Sequence, residues 1–223
     1  MAYEKKSVRS VIGDINSRKI YLPAIQRKYV WDDDQITRLM DSIMLGYPIG
    51  TFLFWKVKKT VINKKEYSMY EFIKDFHERD LYKNPPAPQP FPIGSDEETI
   101  WAILDGQQRL TSMYIALQGS VSRKLPNKRW KNNDAFPQKE LFFNLHSRGI
   151  SEDDISYEFR FMSLDEAKSQ KENKLWYLVK DILKYSQAEI VTEIIVPNNW
   201  LTDKLAMNNL SLLHTRLTND EII

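Results

Sequence analysis

Residues 100–111 read IWAILDGQQRLT and contain the most informative stretch of this chain. An apolar run, Ile100 to Leu104, comes before a short polar turn. Leu110, Met113, Tyr114 and Leu117 then follow at helical spacing. This pattern predicts a buried strand, a tight turn and a helix. Since unpaired backbone N–H groups and the positive end of the helix dipole gather at a helix start, such a turn can bind a phosphate.

Length and composition set the broad class of the protein. A chain of 223 residues can form one large domain, or one domain with an extension. The formal net charge of +2 is too small to indicate nucleic-acid binding by itself. The chain has no cysteine, which excludes disulfides, thiolate catalysis and cysteine-bound zinc within it. With no signal-peptide pattern and no run of about 20 apolar residues, we expect a soluble, cytoplasmic protein without a membrane partner.

The N-terminal half has a mixed order of predicted helices and strands. Ser7 is expected to cap a first short helix, and Asp32 to Asp34 are expected to cap a second, which Gly46 ends. Acidic residues suit the start of a helix, so capping is favoured over metal binding for these aspartates. Strands are predicted at 19–22 and 51–57, and residues 70–76 fit either a helix or a strand.

The second half begins with a proline-rich segment. Five prolines fall between Asn84 and Gly94, which predicts a loop, and we treat 83–98 as an insertion. Residues 140–145 and 156–162 are expected to pair as strands, and from about Leu175 the pattern becomes helical. We therefore expect a domain at 1–175 and the start of a helical extension at 176–223. The last residues resemble the start of another capped helix, which suggests a truncated or split system.

A second group of polar and aromatic residues comes before the second helix, where residues 22–31 read LPAIQRKYVW. In a functional interpretation, Gln26 and Arg27 form another wall of a phosphate pocket, with Arg27 as a bidentate anion contact. In a structural interpretation, Tyr29 and Trp31 pack on the core and the cations are solvated. By itself, the DGQQR turn also fits either a functional or a structural interpretation. In the structural one, Gly106 only allows a turn conformation, Asp105 caps the helix and Arg109 pairs with Asp105.

The pairing of LPAIQRKYVW with ILDGQQRLT resembles the N-terminal domain family of the GmrSD-type restriction endonucleases. That family is similar in fold to the ParB/sulfiredoxin superfamily, and the resemblance extends from Ser7 to about Leu117. It implies an α+β fold in which helices flank a ParB/sulfiredoxin-like mixed sheet. It also implies an NTPase module of a bacterial anti-phage restriction system that acts on modified DNA.

The resemblance also implies the residues of a site. The implied catalytic residues are Asp105, Gln107, Gln108 and Arg109. The implied nucleotide-binding residues are Gly106, Arg109, Thr111, Gln26 and Arg27. Phosphoryl transfer needs positioning and charge neutralisation, so arginines would hold phosphates and Gln107 or Gln108 would orient water. Gly106 would let backbone N–H groups approach the phosphates.

We expect Mg²⁺ to arrive with the nucleotide. Asp105 would then either bind the ion through water or fix Arg109. The chain has no Walker-type sequence, so a P-loop architecture is not expected.

Sequence differences from the related families argue against some of their activities. Sulfiredoxin chemistry needs a cysteine, and the ParB-type GxxRxxA pattern ends here in Ser112. His77, His146 and His214 show no metal-ligand spacing, so we expect no nuclease activity from this chain alone. A nuclease domain or subunit outside the chain is the expected partner.

A DNA-binding surface is a weaker prediction. Arg129, Trp130 and Lys131 combine cations with an aromatic ring and could contact phosphates and stack on a base, although a solvated loop is equally consistent. Two functional hypotheses follow: an NTP hydrolase, or a sensor that binds a nucleotide or modified DNA without hydrolysis. The sequence does not decide whether the protein forms a homo-oligomer.

Overall fold

The computed structural model describes residues 4–24, 28–63, 68–88, 99–147, 155–169 and 174–221. These ranges show the α+β class that the sequence predicts. The α-helices are α1 (Val8–Asn16), α2 (Asp33–Leu45), α3 (Lys59–Asn63), α4 (Gln107–Gln118), α5 (Leu164–Ser169), α6 (Gln187–Glu189) and α7 (Lys204–Thr218). The strands are β1 (Ile20–Pro23), β2 (Leu53–Lys58), β3 (Met69–Tyr70), β4 (Asp75–His77), β5 (Thr99–Asp105), β6 (Ser120–Ser122), β7 (Gln138–Asn144), β8 (Phe159–Met162) and β9 (Trp176–Leu178).

The strands form two mixed sheets, in agreement with the mixed-sheet α+β class expected from the sequence. The first sheet has the order β2-β5-β1-β3, with β1 parallel to β5 and the other pairs antiparallel. The apolar run at 100–104 lies inside β5, at a central position of this sheet. The chain therefore leaves the middle of the sheet at Asp105, where the polar turn begins.

The second sheet has the order β4-β6-β7-β8, with β9 also paired to β7. The predicted pairing of residues 140–145 with 156–162 is confirmed by β7 and β8, in a register that places Phe143 opposite Phe159. The two rings stack with their centroids 4.6 Å apart. This pair contributes to the core on the inner face of the sheet.

Helix α4 connects the two sheets, because it follows β5 of the first and leads into β6 of the second. Every residue from Leu110 to Leu117 is buried. A helix that is enclosed on all sides can be apolar around its whole circumference, which explains why the spacing of its apolar residues is less regular than in α2. Its N-terminal turn is thus held on a rigid, buried element.

The segment after Leu175 differs from the helical pattern expected there. It begins with strand β9, whose residues pair with β7, because Tyr177 and its neighbours are drawn into the second sheet. A 3-10 segment at Val179–Lys184, the short α6 and a π-helical segment at Ile190–Ile195 follow before α7. Leu210, Leu213 and Leu217 of α7 are fully buried in the same core as α1 and α4. A domain boundary near residue 175 stays a prediction.

Most local predictions for the N-terminal half are confirmed. Ser7 caps α1, Asp32 caps α2, and Gly46 ends α2 in the left-handed conformation. The strand predicted at 51–57 is β2, which begins two residues later. Residues 70–76 are not one element but contribute to β3 and β4, and residues 89–98 of the predicted insertion lie outside the described residues. None of the helices described is long and apolar enough to cross a bilayer.

Candidate functional site

The turn at the end of β5 is built around Gly106. This residue has φ +85° and stands directly before the first residue of α4. A Cβ atom placed on it would lie 2.5 Å from Cδ1 of Phe52, so both the backbone conformation and the packing require glycine. The structure shows that Gly106 makes room for Phe52, and its role in the close approach of phosphates stays a prediction.

The N-terminus of α4 has no side-chain cap, because its N-cap residue is Gly106. Glycine offers no side chain to accept a hydrogen bond, and the first turn of α4 contains no acidic residue. Within the described ranges, no other side chain accepts a hydrogen bond from the backbone of Gln107, Gln108 or Arg109. The positive end of this helix dipole is therefore not neutralised by the usual capping groups.

Arg109 is surrounded by the segment between α2 and β2. Its Nη1 donates to the carbonyl oxygen of Ile49, and its Nη2 donates to that of Thr51 at 2.9 Å. The guanidinium lies over the ring of Phe52, 4.7 Å from the centroid, and its Nη2 is 3.8 Å from Asp105. Gly50, with φ +85°, leaves no room for a Cβ beside the guanidinium. Arg109 thus fixes residues 49–52 against the turn.

Gln108 holds the other side of the turn. Its Nε2 donates to the carbonyl oxygen of Lys28, and its Oε1 accepts from the backbone N–H of Val30, both at 3.0 Å. One turn further along α4, Ser112 hydrogen bonds the buried hydroxyl of Tyr29 at 2.9 Å. Burial raises the pKa of Tyr29, so this hydroxyl stays protonated. The two sequence motifs therefore meet, although Gln26 and Arg27 lie outside the described residues.

The side chains of Asp105 and Gln107, unlike those of Gln108 and Arg109, do not hydrogen bond to the backbone of a described loop. The side chain of Asp105 is 72% exposed, and its described ion pair is the 3.8 Å contact with Arg109. Gln107 is partly exposed and makes no hydrogen bond to a described side chain or loop. Thr111 is only 3% exposed, so the structure places it inside the protein rather than on the surface of the turn.

No preformed metal centre is found among the described residues, where no group of three His, Cys, Asp or Glu side chains converges. His146 and His214 each contact a protein group. His146 pairs through Nε2 with Asp203 at 2.7 Å, and the Nε2 of His214 is 3.1 Å from the carbonyl oxygen of Tyr185. Asp105 is the one acidic side chain at the turn itself.

The predicted nucleic-acid patch lies elsewhere, beside the second sheet. Trp130 is 47% exposed and packs edge-on against Phe136, with the ring centroids 5.4 Å apart. Arg129 and Lys131 are exposed on either side of it. In the part of the chain that is described, none of these three side chains contacts the DGQQR turn. They stay a separate, predicted DNA contact.

The segment Ile49-Gly50-Thr51-Phe52 is the part of the site that the sequence did not reveal. Its contribution comes from two backbone carbonyl groups and one ring, which leave no motif of polar side chains. A usable signal was Gly50, a glycine between the end of α2 and an exposed strand, where a left-handed backbone conformation is needed.

Comparison with known proteins relates the chain to a family. The chain is 24% identical over 173 residues to the uncharacterized protein MJ0686 of Methanocaldococcus jannaschii. The match covers 74% of this chain but only 24% of that relative, so the chain spans about a quarter of its length. The profile of the GmrSD restriction endonuclease N-terminal domain matches residues 8–222, which is nearly the whole chain and includes both motifs of the turn. The chain therefore belongs to the GmrSD restriction endonuclease N-terminal domain family.

Proposed function

We propose that this chain binds and hydrolyses a nucleoside triphosphate at the N-terminus of α4. In this proposal it is the regulatory NTPase module of a bacterial anti-phage restriction system that acts on modified DNA. The observation that carries the proposal is the uncapped start of α4 at Gly106, directly after the exposed carboxylate of Asp105. A helix whose positive end has no side-chain cap suits the terminal phosphates of a nucleotide.

We assign the motif residues to two pairs. Gln108 and Arg109 are positioning residues, because their side chains hold residues 28–30 and 49–51 on the two sides of the turn. Gln107 and Asp105 are the residues left to act on a ligand. We assign Gln107 to orienting the attacking water, a role that glutamine takes in other nucleotide hydrolases. Gln26 and Arg27 keep their predicted role as a second wall.

The residues present fit a magnesium ion that arrives with the nucleotide. Mg²⁺ is commonly held by phosphate oxygens, water and only one or two carboxylates. The exposed carboxylate of Asp105, 3.8 Å from Arg109, is such a group. When bound, the ion would neutralise charge on the phosphates. Asp105 would help to hold it through water, and the backbone N–H groups of α4 would bind phosphate oxygens.

The test is phosphate release from a panel of nucleoside triphosphates with Mg²⁺, with and without modified DNA. Asp105→Asn and Gln107→Ala should each lower the rate at least about a hundredfold, the lower end of the 10²-fold to 10⁴-fold range typical of positioned catalytic groups. Asp34→Asn removes the same charge from the exposed first turn of α2 and should leave the rate unchanged. Equal rates in wild type and both motif variants would disprove hydrolysis at this turn.

A sensor that binds without hydrolysis is the second candidate. The observation in its favour is that Gln108 and Arg109, two of the four implied catalytic residues, are already engaged with backbone groups. Val30 beside Gln108 is 72% exposed and offers an apolar contact for a base. This candidate predicts salt-sensitive binding of nucleotide or modified DNA with no phosphate release. In either case, the nuclease is proposed to lie outside this chain.

A further inference from the structure

A second, basic cleft lies at the opposite end of α4 from the DGQQR turn. It has a volume of about 470 Å³ and is formed by α1, the C-terminal end of α4, the 3-10 segment Val179–Lys184 and Lys74. Because α4 has 12 residues, its two ends are about 17 Å apart, so this cleft and the turn are distinct places. We call it the basic cleft.

Four cationic side chains surround this cleft, and two of them are unengaged. Lys180 pairs with Glu140, and Lys184 with Asp181. Arg9 and Lys74 form no ion pair or side-chain hydrogen bond within the described ranges, and both are exposed. A guanidinium has five N–H donors and an ammonium has three, so the cleft presents many donors with no protein acceptor.

The acidic groups near Arg9 are occupied elsewhere. Glu189 feels the charge of Arg9, which contributes to lowering its pKa, but the main cause is its hydrogen bond from the backbone of Ser186. The amides at the cleft are also tied to protein groups, since Asn16 donates to Gln118 at 3.4 Å and Gln118 donates to the carbonyl oxygen of Leu117. Within the described ranges, the polar side chains of the cleft that have no protein hydrogen-bond partner are therefore Arg9 and Lys74.

Gly13 is an independent sign that the cleft is kept open. It lies within the nine-residue helix α1, where glycine is less favourable than almost any other residue. A Cβ atom on Gly13 would meet no heavy atom within 4 Å, so packing within the protein does not require glycine here. Arg9, Ile12 and Asn16 flank it on the same face of α1 and also line the cleft.

The floor of the cleft is apolar, and this limits the ligand. Ile12 and Leu117 are buried beneath it, and Leu183 is partly buried at its side. The volume is within the range of pockets for small molecules, where an apolar surface holds the body of a ligand and a few charged groups hold its polar end. We infer that the basic cleft binds a phosphate-bearing small molecule of mononucleotide size, separately from the nucleotide proposed for the turn.

The test is calorimetric titration of the whole chain with adenosine and guanosine monophosphates, and in parallel with inorganic pyrophosphate. A chain carrying both Arg9→Ala and Lys74→Ala should bind the monophosphates at least about tenfold more weakly, because two charge-assisted contacts are lost. The matched control is Lys168→Ala with Lys204→Ala, which removes two exposed lysines elsewhere and should not change the affinity. Tighter binding of monophosphates than of pyrophosphate shows that the apolar floor holds the nucleoside.

Gly13→Leu tests the shape of the cleft without changing its charge. Leucine favours the helix and has room at this position, so the protein should stay folded while the cleft is filled and monophosphate binding is lost. Unchanged binding in Gly13→Leu, no saturable binding by wild type below about 1 mM, or cleft-dependent preference for single-stranded DNA would each overturn the inference.

Asp105→Asn with Gln107→Ala separates this inference from the proposed function. That chain should lose phosphate release but bind monophosphates at the basic cleft with wild-type affinity. Loss of that binding would contradict the inference, because it would place the ligand at the turn.

Discussion

The N-termini of α2 and α4 differ in whether side chains cap the unpaired backbone N–H groups and neutralise the positive end of the helix dipole. At α2, the Asp32 carboxylate accepts from the backbone of Gln35 at 2.8 Å, and the Gln35 side chain accepts in return from Asp32 at 3.0 Å. Asp33 and Asp34 add negative charge in the first turn. At α4, the cap is Gly106, which has no side chain, and the first turn holds no acid. Helix α2 therefore neutralises its own dipole with side chains, whereas α4 does not.

The polar side chains of the two helix starts also have different tasks. Those of α2 satisfy the helix itself, whereas Gln108 and Arg109 of α4 reach away from it to the backbone of Lys28, Val30, Ile49 and Thr51. The start of α4 is therefore the point at which two separate loops are held beside an uncapped helix end. This difference supports the proposal that the turn is a binding site and not only a connection.

The change with the largest expected effect is Gly106→Ala. Alanine at φ +85° is strained, and its Cβ would lie 2.5 Å from Phe52, so we expect a loss of about 2–4 kcal/mol in the free energy of unfolding. Urea denaturation measures this loss. Adding Phe52→Ala should recover the part caused by the clash. If Gly106→Ala is as stable as wild type, Gly106 does not have the left-handed conformation described above. The comparison with the capped start of α2 would then also fail.

Arg109→Ala is expected to have the next largest effect. It removes two hydrogen bonds to carbonyl groups and the contact with Phe52, at a cost of about 2 kcal/mol. Arg109→Lys should recover little of this, because an ammonium cannot reproduce the planar fork that spans Ile49 and Thr51. Hydrogen exchange of residues 49–52 should increase in both variants. Full rescue by lysine would show that only the charge matters.

The order of elements around the site was readable from the sequence because each has a local signal. The apolar run before Asp105 predicted β5, and the spacing from Leu110 to Leu117 predicted α4, in agreement with the structure. Helix caps were equally clear, since Ser7 and Asp32 act on backbone groups only three residues away. Such short-range physics does not depend on the rest of the fold.

The roles of Gln108 and Arg109 were not readable, because their partners are backbone groups 58 to 80 residues away. Any residue supplies a carbonyl group, so no side-chain pattern marks Lys28, Ile49 or Thr51 as partners. The strand at β9 was missed for a related reason. Its three residues gain strand structure by pairing with β7, a long-range contact that local helical spacing does not report.

Asp32→Ala tests the contribution of the cap at the N-terminus of α2. Loss of the reciprocal bonds with Gln35 should lower the free energy of unfolding by about 1 kcal/mol. Thermal denaturation provides this value. Since no side chain of α2 hydrogen bonds to the turn in the described part of the chain, phosphate release per folded molecule should equal that of wild type. A lower rate in a fully folded Asp32→Ala sample would mean that the two helix starts are coupled.

Asp105→Asn should have the smallest effect on stability and the clearest effect on function. The carboxylate is 72% exposed and its ion pair with Arg109 is 3.8 Å long, so the free energy of unfolding should change by less than about 0.5 kcal/mol. If Asp105 were only a structural partner of Arg109, activity would follow stability and both would stay near wild type. If it positions the ion that arrives with the nucleotide, phosphate release should fall and higher Mg²⁺ concentrations should partly restore it. Asp34→Asn, with the same charge change at the start of α2, should show neither effect, so the contrast between these two variants separates a group that binds a ligand from one that serves its helix.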